Sequence, residues 1–352
     1  MRPPKTVGSR SRVALLECAP FMVYEETSGS ERLLEVSLVV PVYQGERTLA
    51  ALAEEVAPLT VEQPTPKQRR FRIVELVLVH DNGPDESARV MQELAQNHGF
   101  IRPIWLSRNF GQHAATFAGL ASTVGEWVVT LDEDGQQNPS DVGRMLDCAL
   151  DRRTRLVYAQ PTNPPPHGML RNAFSSLAKW LFVSVLGANI GRFNSFRMIE
   201  GEVARSVAAY SGPNVYLDVA LSWVVGSAER CPVVLRDERG RRSGYTPRRL
   251  MRHFWQLVLS SGTLPLRLIA FVGFASIVFA VLYSALQIWN RLHNEIPVQG
   301  WTSTMIVICL FAGLTLVSIG IIAEYLGFSV SMAMGKPAYL IVSRPREDIA
   351  KK

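Results

Sequence analysis

Between Val36 and about Arg236, short apolar runs alternate with amphipathic segments, and this alternation constrains the fold more than any other feature. The runs are VSLVVPV (36–42), IVELVLVH (73–80), IRPIWLS (101–107), EWVVTLD (126–132) and RLVYAQ (155–160). Each is rich in Val, Ile and Leu and ends in polar or turn residues. Near-continuous apolar runs of this length fit strands buried on both faces of a parallel sheet. The intervening ERTLAALAEEVAPL, DESARVMQELAQNHG and GQHAATFAGLAST carry helical periodicity. Strand–helix repeats predict an α/β, Rossmann-like, mainly parallel domain. In such sheets ligands bind beyond the carboxyl ends of the strands. Pro41-Val42-Tyr43, His80-Asp81-Asn82 and Asp132-Glu133-Asp134 all fall there.

The C-terminal third obeys a different pattern. Neither Leu268–Ile288 nor Trp301–Ala323 contains a charged residue, and the chain as a whole is 47% hydrophobic. Each stretch is long enough for a hydrocarbon core of about 30 Å. Together they predict a two-helix transmembrane hairpin over 264–325, with two buried core helices as the alternative. Arg248, Arg249, Arg252 and Arg267 precede the hairpin, and Lys336, Arg344, Arg346, Lys351 and Lys352 follow it. The connecting loop holds Arg291. By the positive-inside rule both flanks are cytoplasmic. TPRRLMRHFWQLVLSSG (246–262), within 241–263, sets Leu250, Phe254, Leu257 and Val258 against Arg248, Arg249 and Arg252, as an interfacial helix does. MLRNAFSSLAKWLFVSVLG (169–187) reads equally as an interfacial or a core helix.

The net charge of +6 favours anionic partners: nucleic acid, anionic lipid or phosphorylated substrates. Cys18, Cys148, Cys231 and Cys309 are far apart, which argues against a zinc site or a disulfide framework and for a reducing compartment. Residues 1–34 read as a flexible basic tail. Glu17 and Pro20 interrupt the apolar run of a signal peptide.

TLDEDGQQNP (130–139) places three carboxylates in a row. A calcium loop would need Gly at its sixth and Glu at its twelfth position; counted from Asp132 these are Gln137 and Gly143. A carboxylate pair for glycoside hydrolysis stays open as an alternative, as does a solvated turn. The favoured reading is a metal clamp. Asp132 and Asp134, two residues apart after a strand, hold Mg²⁺ or Mn²⁺, with Gln136 continuing the series as a neutral oxygen ligand. The cation offsets a carboxylate–phosphate repulsion of about 4 kcal/mol at about 4 Å and moderate dielectric.

VSLVVPVYQGERTL, VHDNGPDES, LSRNFGQHAATFAGLASTVGEWVVTLDEDGQQNPSD, SFRMIEGEVA, SGYT and AEYLGFSVSMAMGKPAYLI together resemble the polyprenyl-phosphate glycosyltransferases, family 2 inverting enzymes with a GT-A fold and a C-terminal membrane hairpin. The likeness runs in order from residue 36 to about 345. Its nearest flavour is the bacterial undecaprenyl-phosphate sugar transferases. It implies a GT-A domain over 35–240, a cytoplasmic tail over 326–352 and an integral membrane protein with a cytoplasmic catalytic domain. The implied partners are a UDP- or GDP-sugar donor, a polyprenyl phosphate acceptor and the bilayer, with no nucleic acid; a homo-oligomer is compatible with it. Pro41, Tyr43, Glu46 and Asp81 match the nucleotide site and Arg108 the SRN turn. Asp132, Asp134 and Gln136 match the metal and diphosphate ligands. Arg171 matches a juxtamembrane basic residue, and Ser243 and Tyr245 an acceptor-side motif. Arg239, Arg241, Arg242, Arg248 and Arg249 cluster where a lipid phosphate would lie; anionic lipid is the alternative ligand. Asp218 reads as a group that orients the acceptor or acts as base, or equally as an exposed helix carboxylate.

The chain departs from that pattern in places. His80-Asp81 replaces an aspartate pair, Asn82-Gly83 a Gly-Ser, and Glu133 a small residue between the clamp aspartates. Ungapped, the family's R-x-x-G-x-S motif puts its Arg on Glu238 and its Gly on Arg241. Glu133 is expected to turn from the metal towards a basic neighbour. A membrane-tethered nucleotide-sugar-binding regulator without turnover is the rival reading. A Rossmann oxidoreductase is disfavoured because no G-x-G-x-x-G follows the first strand.

Overall fold

The computed structural model describes residues 32–163, 194–213, 215–236, 264–293 and 300–345. Residues 1–31 of the basic tail, the 169–187 segment and the 241–263 segment lie outside them.

The five apolar runs are strands: β1 (Leu34–Val42), β3 (Arg70–His80), β4 (Ile101–Leu106), β5 (Trp127–Thr130) and β6 (Leu156–Pro161). The alternation did not disclose β2 (Gln63–Pro64), β7 (Arg197–Glu200), β8 (Glu229–Val233) and β9 (Ile341–Val342). Strand order is β8-β6-β7-β5-β1-β3-β4-β9, with β2 beside β3. The central β5-β1-β3-β4 block is parallel. β7 is antiparallel to both neighbours, and β9 caps the far edge antiparallel to β4. The sheet is therefore mixed about a parallel centre. β1 sits in the middle, and from Val36 to Val42 it is buried throughout.

Helices cover both faces. On α1 (Leu49–Val56) the buried residues are Leu49, Leu52, Ala53 and Val56, one turn apart along one stripe. With α2 (Ser87–Asn97) and α4 (Val142–Asp151), α1 closes one hydrophobic cluster around Leu38, Leu78, Met91 and Met145. The other face carries α3 (Gln112–Ala121), α5 (Gly201–Tyr210) and α6 (Leu217–Val224), packed around Val39, Phe117, Leu120 and Leu221. Burial of these side chains, at about 25 cal/mol per Å² of apolar surface, holds the three layers together.

Two long helices follow, α7 (Leu264–His293) and α8 (Trp301–Ala333), and they contact each other. Within α8, Leu310–Ala333 is long and apolar enough to cross a membrane; within α7 the apolar stretch Ile269–Tyr283 is shorter. Phe271, Phe274, Phe279, Leu282, Leu310, Leu316 and Leu326 are exposed. The expected boundary at 325/326 falls inside a helix, because α8 continues to Ala333. Residues 326–333 finish α8, and Ile341–Val342 supply β9 to the sheet.

Candidate active site

The carboxyl ends of β1, β3, β4 and β5 lie side by side, and hydrogen bonds join their loops into one rim. At the β1 end, Tyr43 is partly exposed, whereas Pro41 is buried within the strand. The β1–α1 loop meets the β3–α2 loop. Gly45 N donates to Ser87 Oγ (2.8 Å), Glu46 N to Asp85 Oδ2 (3.2 Å) and Glu86 N to Glu46 Oε2 (3.2 Å). Glu46 is therefore a loop-to-loop acceptor on the rim. Gly83 permits the approach: a Cβ there would lie 1.6 Å from the Tyr43 carbonyl oxygen.

Asp81 follows the last residue of β3 and is buried. Its two oxygens accept from Phe110 N (2.7 Å) and Gly111 N (2.8 Å). It therefore shapes the 107–111 loop that carries Arg108, whose guanidinium lies 4.3 Å from the Phe110 ring centroid. Burial pushes the Asp81 carboxyl up to about 6, against the pull of the two amides and Arg108. His80 beside it is buried, edge-on to Trp105 at 5.7 Å, and its Nε2 has no hydrogen-bond partner. Burial holds its pKa below the usual value, against the pull of Asp85.

The acidic stretch follows β5. Asp132 Oδ1 accepts from Gln112 Nε2 (2.8 Å); Oδ2 accepts from Gln137 Nε2 (2.9 Å) and from Ser195 Oγ. Gln137 also accepts from Asp132 N (2.9 Å) and donates to Ser195 Oγ (3.0 Å). Burial raises the Asp132 carboxyl to about 6; Asp134 adds to the rise, and Ser195, Arg197 and Gln137 oppose it. Asp134 Oδ1 accepts from Gln136 N (3.0 Å), and no other donor bonds its carboxylate among the described residues. The turn closes at Gly135, whose φ of +74° suits glycine. Gln136 contributes its backbone, bonding Asp134 through N–H and Arg236 N through its carbonyl (2.9 Å).

Glu133, between the two aspartates, is bonded to the end of β1. Its carboxylate accepts from Tyr43 N (2.7 Å) and Gln44 N (3.0 Å), tying the clamp turn to the end of β1.

Asp218 is not exposed. It is buried in the first turn of α6, paired with Arg197 Nη1, and accepts from Tyr158 OH (2.9 Å). Burial raises its pKa, and Arg197 and Tyr158 oppose the rise. Arg197 Nε donates to Thr130 Oγ1 (3.1 Å), and Thr130 Oγ1 donates to the Ser195 carbonyl. Ser195 in turn holds Asp132. Asp218 is thus linked to Asp132 through Arg197, Thr130 and Ser195. Sequence reasoning missed Gln112, Gln137, Ser195 and Arg197 as functional residues. All four lie inside the quoted motifs, where their polar side chains beside apolar runs were the available signal.

The clamp fits a divalent cation that keeps open positions. Among the described residues no group of three or more His, Cys, Asp or Glu could enclose a metal. Mg²⁺ is commonly bound by one or two carboxylates with substrate phosphates and water completing the shell. Asp132 and Asp134 supply that number. Arg171, Arg239, Arg241, Arg242, Ser243 and Tyr245 lie outside the described residues.

Residues 37–177 match the model of glycosyl transferase family 2. The bactoprenol glucosyl transferase of Shigella phage SfX is 27% identical over 315 residues, 88% of this chain and 100% of that protein. The undecaprenyl-phosphate 4-deoxy-4-formamido-L-arabinose transferase of Pseudomonas savastanoi pv. phaseolicola is 28% identical over 87% of this chain and 89% of its own length. Among solved structures, glucosyl-3-phosphoglycerate synthase from Mycobacterium tuberculosis, with Mn²⁺, UDP and glucosyl-3-phosphoglycerate, gives a TM-score of 0.44 at 16% identity over 64% of this chain and 78% of that one. The strand-end rim, the acidic turn after β5 and the family match coincide in one stretch: the chain carries a glycosyl transferase family 2 domain over residues 37–177.

Proposed function

We propose that the protein transfers a sugar, with inversion, from a UDP- or GDP-sugar to polyprenyl phosphate at the cytoplasmic face of a membrane. The product is a polyprenyl-phosphate-linked sugar for envelope glycan or glycolipid assembly. The observation that carries this reading is the acidic turn. Asp134 offers carboxylate oxygen beside a pinned Asp132, on a rim shared with the Asp81–Arg108 loop. The chain's similarity to two polyprenyl-phosphate sugar transferases over nearly its whole length supports the acceptor class.

Asp132 and Asp134 would hold Mg²⁺ or Mn²⁺, which when bound neutralises the departing diphosphate. The rest falls to the chain. Tyr43, Glu46 and Asp81 line the donor side, and Arg108 supplies a cation there. The acceptor is a phosphate monoester whose second pKa is about 6, so it is largely a dianion at neutral pH. An ionised nucleophile needs no general base. This agrees with Asp218 being buried in an ion pair. The basic residues Arg171, Arg239, Arg241 and Arg242, with Ser243 and Tyr245, would offset the repulsion between dianion and diphosphate. Helices α7 and α8 would form the membrane hairpin and hold these groups at headgroup level.

The test is transfer of label from UDP- and GDP-sugars into the organic phase by the full chain in detergent with polyprenyl phosphate and Mn²⁺. Label in the lipid supports the reading. Nucleotide-sugar binding with no label transferred favours the rival regulator.

A further inference from the structure

The segment beyond the last long helix returns to the catalytic sheet at the edge of the donor site. α8 ends in a tight turn: Gly335, at φ +66°, donates to the Met332 carbonyl (3.0 Å), and Lys336 N to the Ser331 carbonyl (3.1 Å). A few residues later the chain lies against β4. Ile341 pairs with Leu106 and Val342 with Trp105, and Ser107 N donates to the Leu340 carbonyl (3.0 Å). Ser107 is the first residue of the loop that carries Arg108. The far end of that loop is held by Asp81 through Phe110 N and Gly111 N. Phe110, Phe328 from α8 and Tyr339 from the returning segment all pack against the same hydrophobic cluster.

We infer that residues 335–342 are a positioning element of the donor site: they fix the near end of the 107–111 loop and make donor binding depend on how α8 is seated. This rests on the reading of that rim as a nucleotide site. The physical basis is conformational entropy. A loop pinned at both ends is already ordered, whereas one freed at Ser107 must be ordered by the ligand, and the affinity falls by that cost. β9 is only two residues long, so its register depends on Tyr339 and the α8 end as well as on its own ladder. The segment touches no reacting group and acts only through the loop.

The experiment compares the full chain with a chain truncated after Lys336, which retains both long helices, and with Val342→Pro, which removes the N–H that faces Trp105 and so disrupts β9 while leaving the chain at full length. UDP and GDP are the probes, each titrated with Mn²⁺ in detergent, and hydrogen exchange is followed at residues 107–111 and across β1 and β5. The expected result is a Kd weakened about tenfold in both variants, with faster exchange at Phe110 and Gly111 and unchanged protection in β1 and β5. A Kd within about twofold of the full chain overturns the inference, whatever the loop's exchange. If truncation strips protection from the whole sheet, the Val342→Pro result decides alone. If the full chain binds neither nucleotide, the donor-site reading fails and this inference with it.

Discussion

Glu133 accepts hydrogen bonds from the backbone amides of Tyr43 and Gln44, so the carboxylate between the two clamp aspartates faces the end of β1. The geometry separates three negative groups that would otherwise repel each other in one turn. It also sets the distance between the β1 loop and the clamp.

Hydrogen bonds to a charged acceptor contribute about 1.5–3 kcal/mol each. Glu133→Ala is therefore expected to lower stability by about 2 kcal/mol and to weaken Mn²⁺-dependent nucleotide binding. Glu133→Gln, which keeps one acceptor oxygen, should lose less of both. Thermal melts with and without UDP and Mn²⁺ measure the two effects, and an unchanged melting temperature in Glu133→Ala contradicts the assignment.

Arg197 and Asp218 form a buried pair beneath the clamp. Removing one partner strands the other charge, so Arg197→Ala is expected to cost about 3–5 kcal/mol. Replacing both, as Arg197→Met with Asp218→Leu, should recover most of that loss, because an apolar pair avoids the desolvation cost. The double variant should still bind Mn²⁺ more weakly than the parent, since Thr130 and Ser195 lose their anchor. Melting curves and a Mn²⁺ titration of all three variants check this.

Much of this arrangement was legible in the sequence. The strand ends were readable because each apolar run stops at a polar residue, and Asp132 follows its run directly. The identity of Asp218 was not. Its partners Arg197 and Tyr158 are 21 and 60 residues away, and helical periodicity alone leaves a first-turn aspartate free to face water. β7 and β9 were invisible for a different reason. Four and two residues are too few to show period-two alternation, and β9 follows a long apolar helix that dominates its surroundings.

Asp81 carries a pH signature. Its folded pKa of about 6 lies above the ordinary 3.8, so the folded state holds the proton more tightly than the unfolded chain. The resulting stability is present below 3.8 and is lost as pH rises through about 6. Asp81→Asn is expected to reduce the pH slope of the melting temperature between those values, with Asp132, also raised to about 6, supplying what remains. It should also weaken nucleotide binding, because the amide offers one acceptor oxygen to Phe110 N and Gly111 N where the carboxylate offers two. Equal pH slopes in parent and variant would count against the buried carboxylate as their source.

The most direct test of the metal–diphosphate clamp is transfer by Asp134→Ala. The full-length variant, folded by its melting curve, is assayed with labelled nucleotide-sugar, polyprenyl phosphate and Mn²⁺ at increasing metal concentration. The account predicts that transfer falls to background, with no recovery at high Mn²⁺. Transfer at the parent's rate and metal dependence would contradict it.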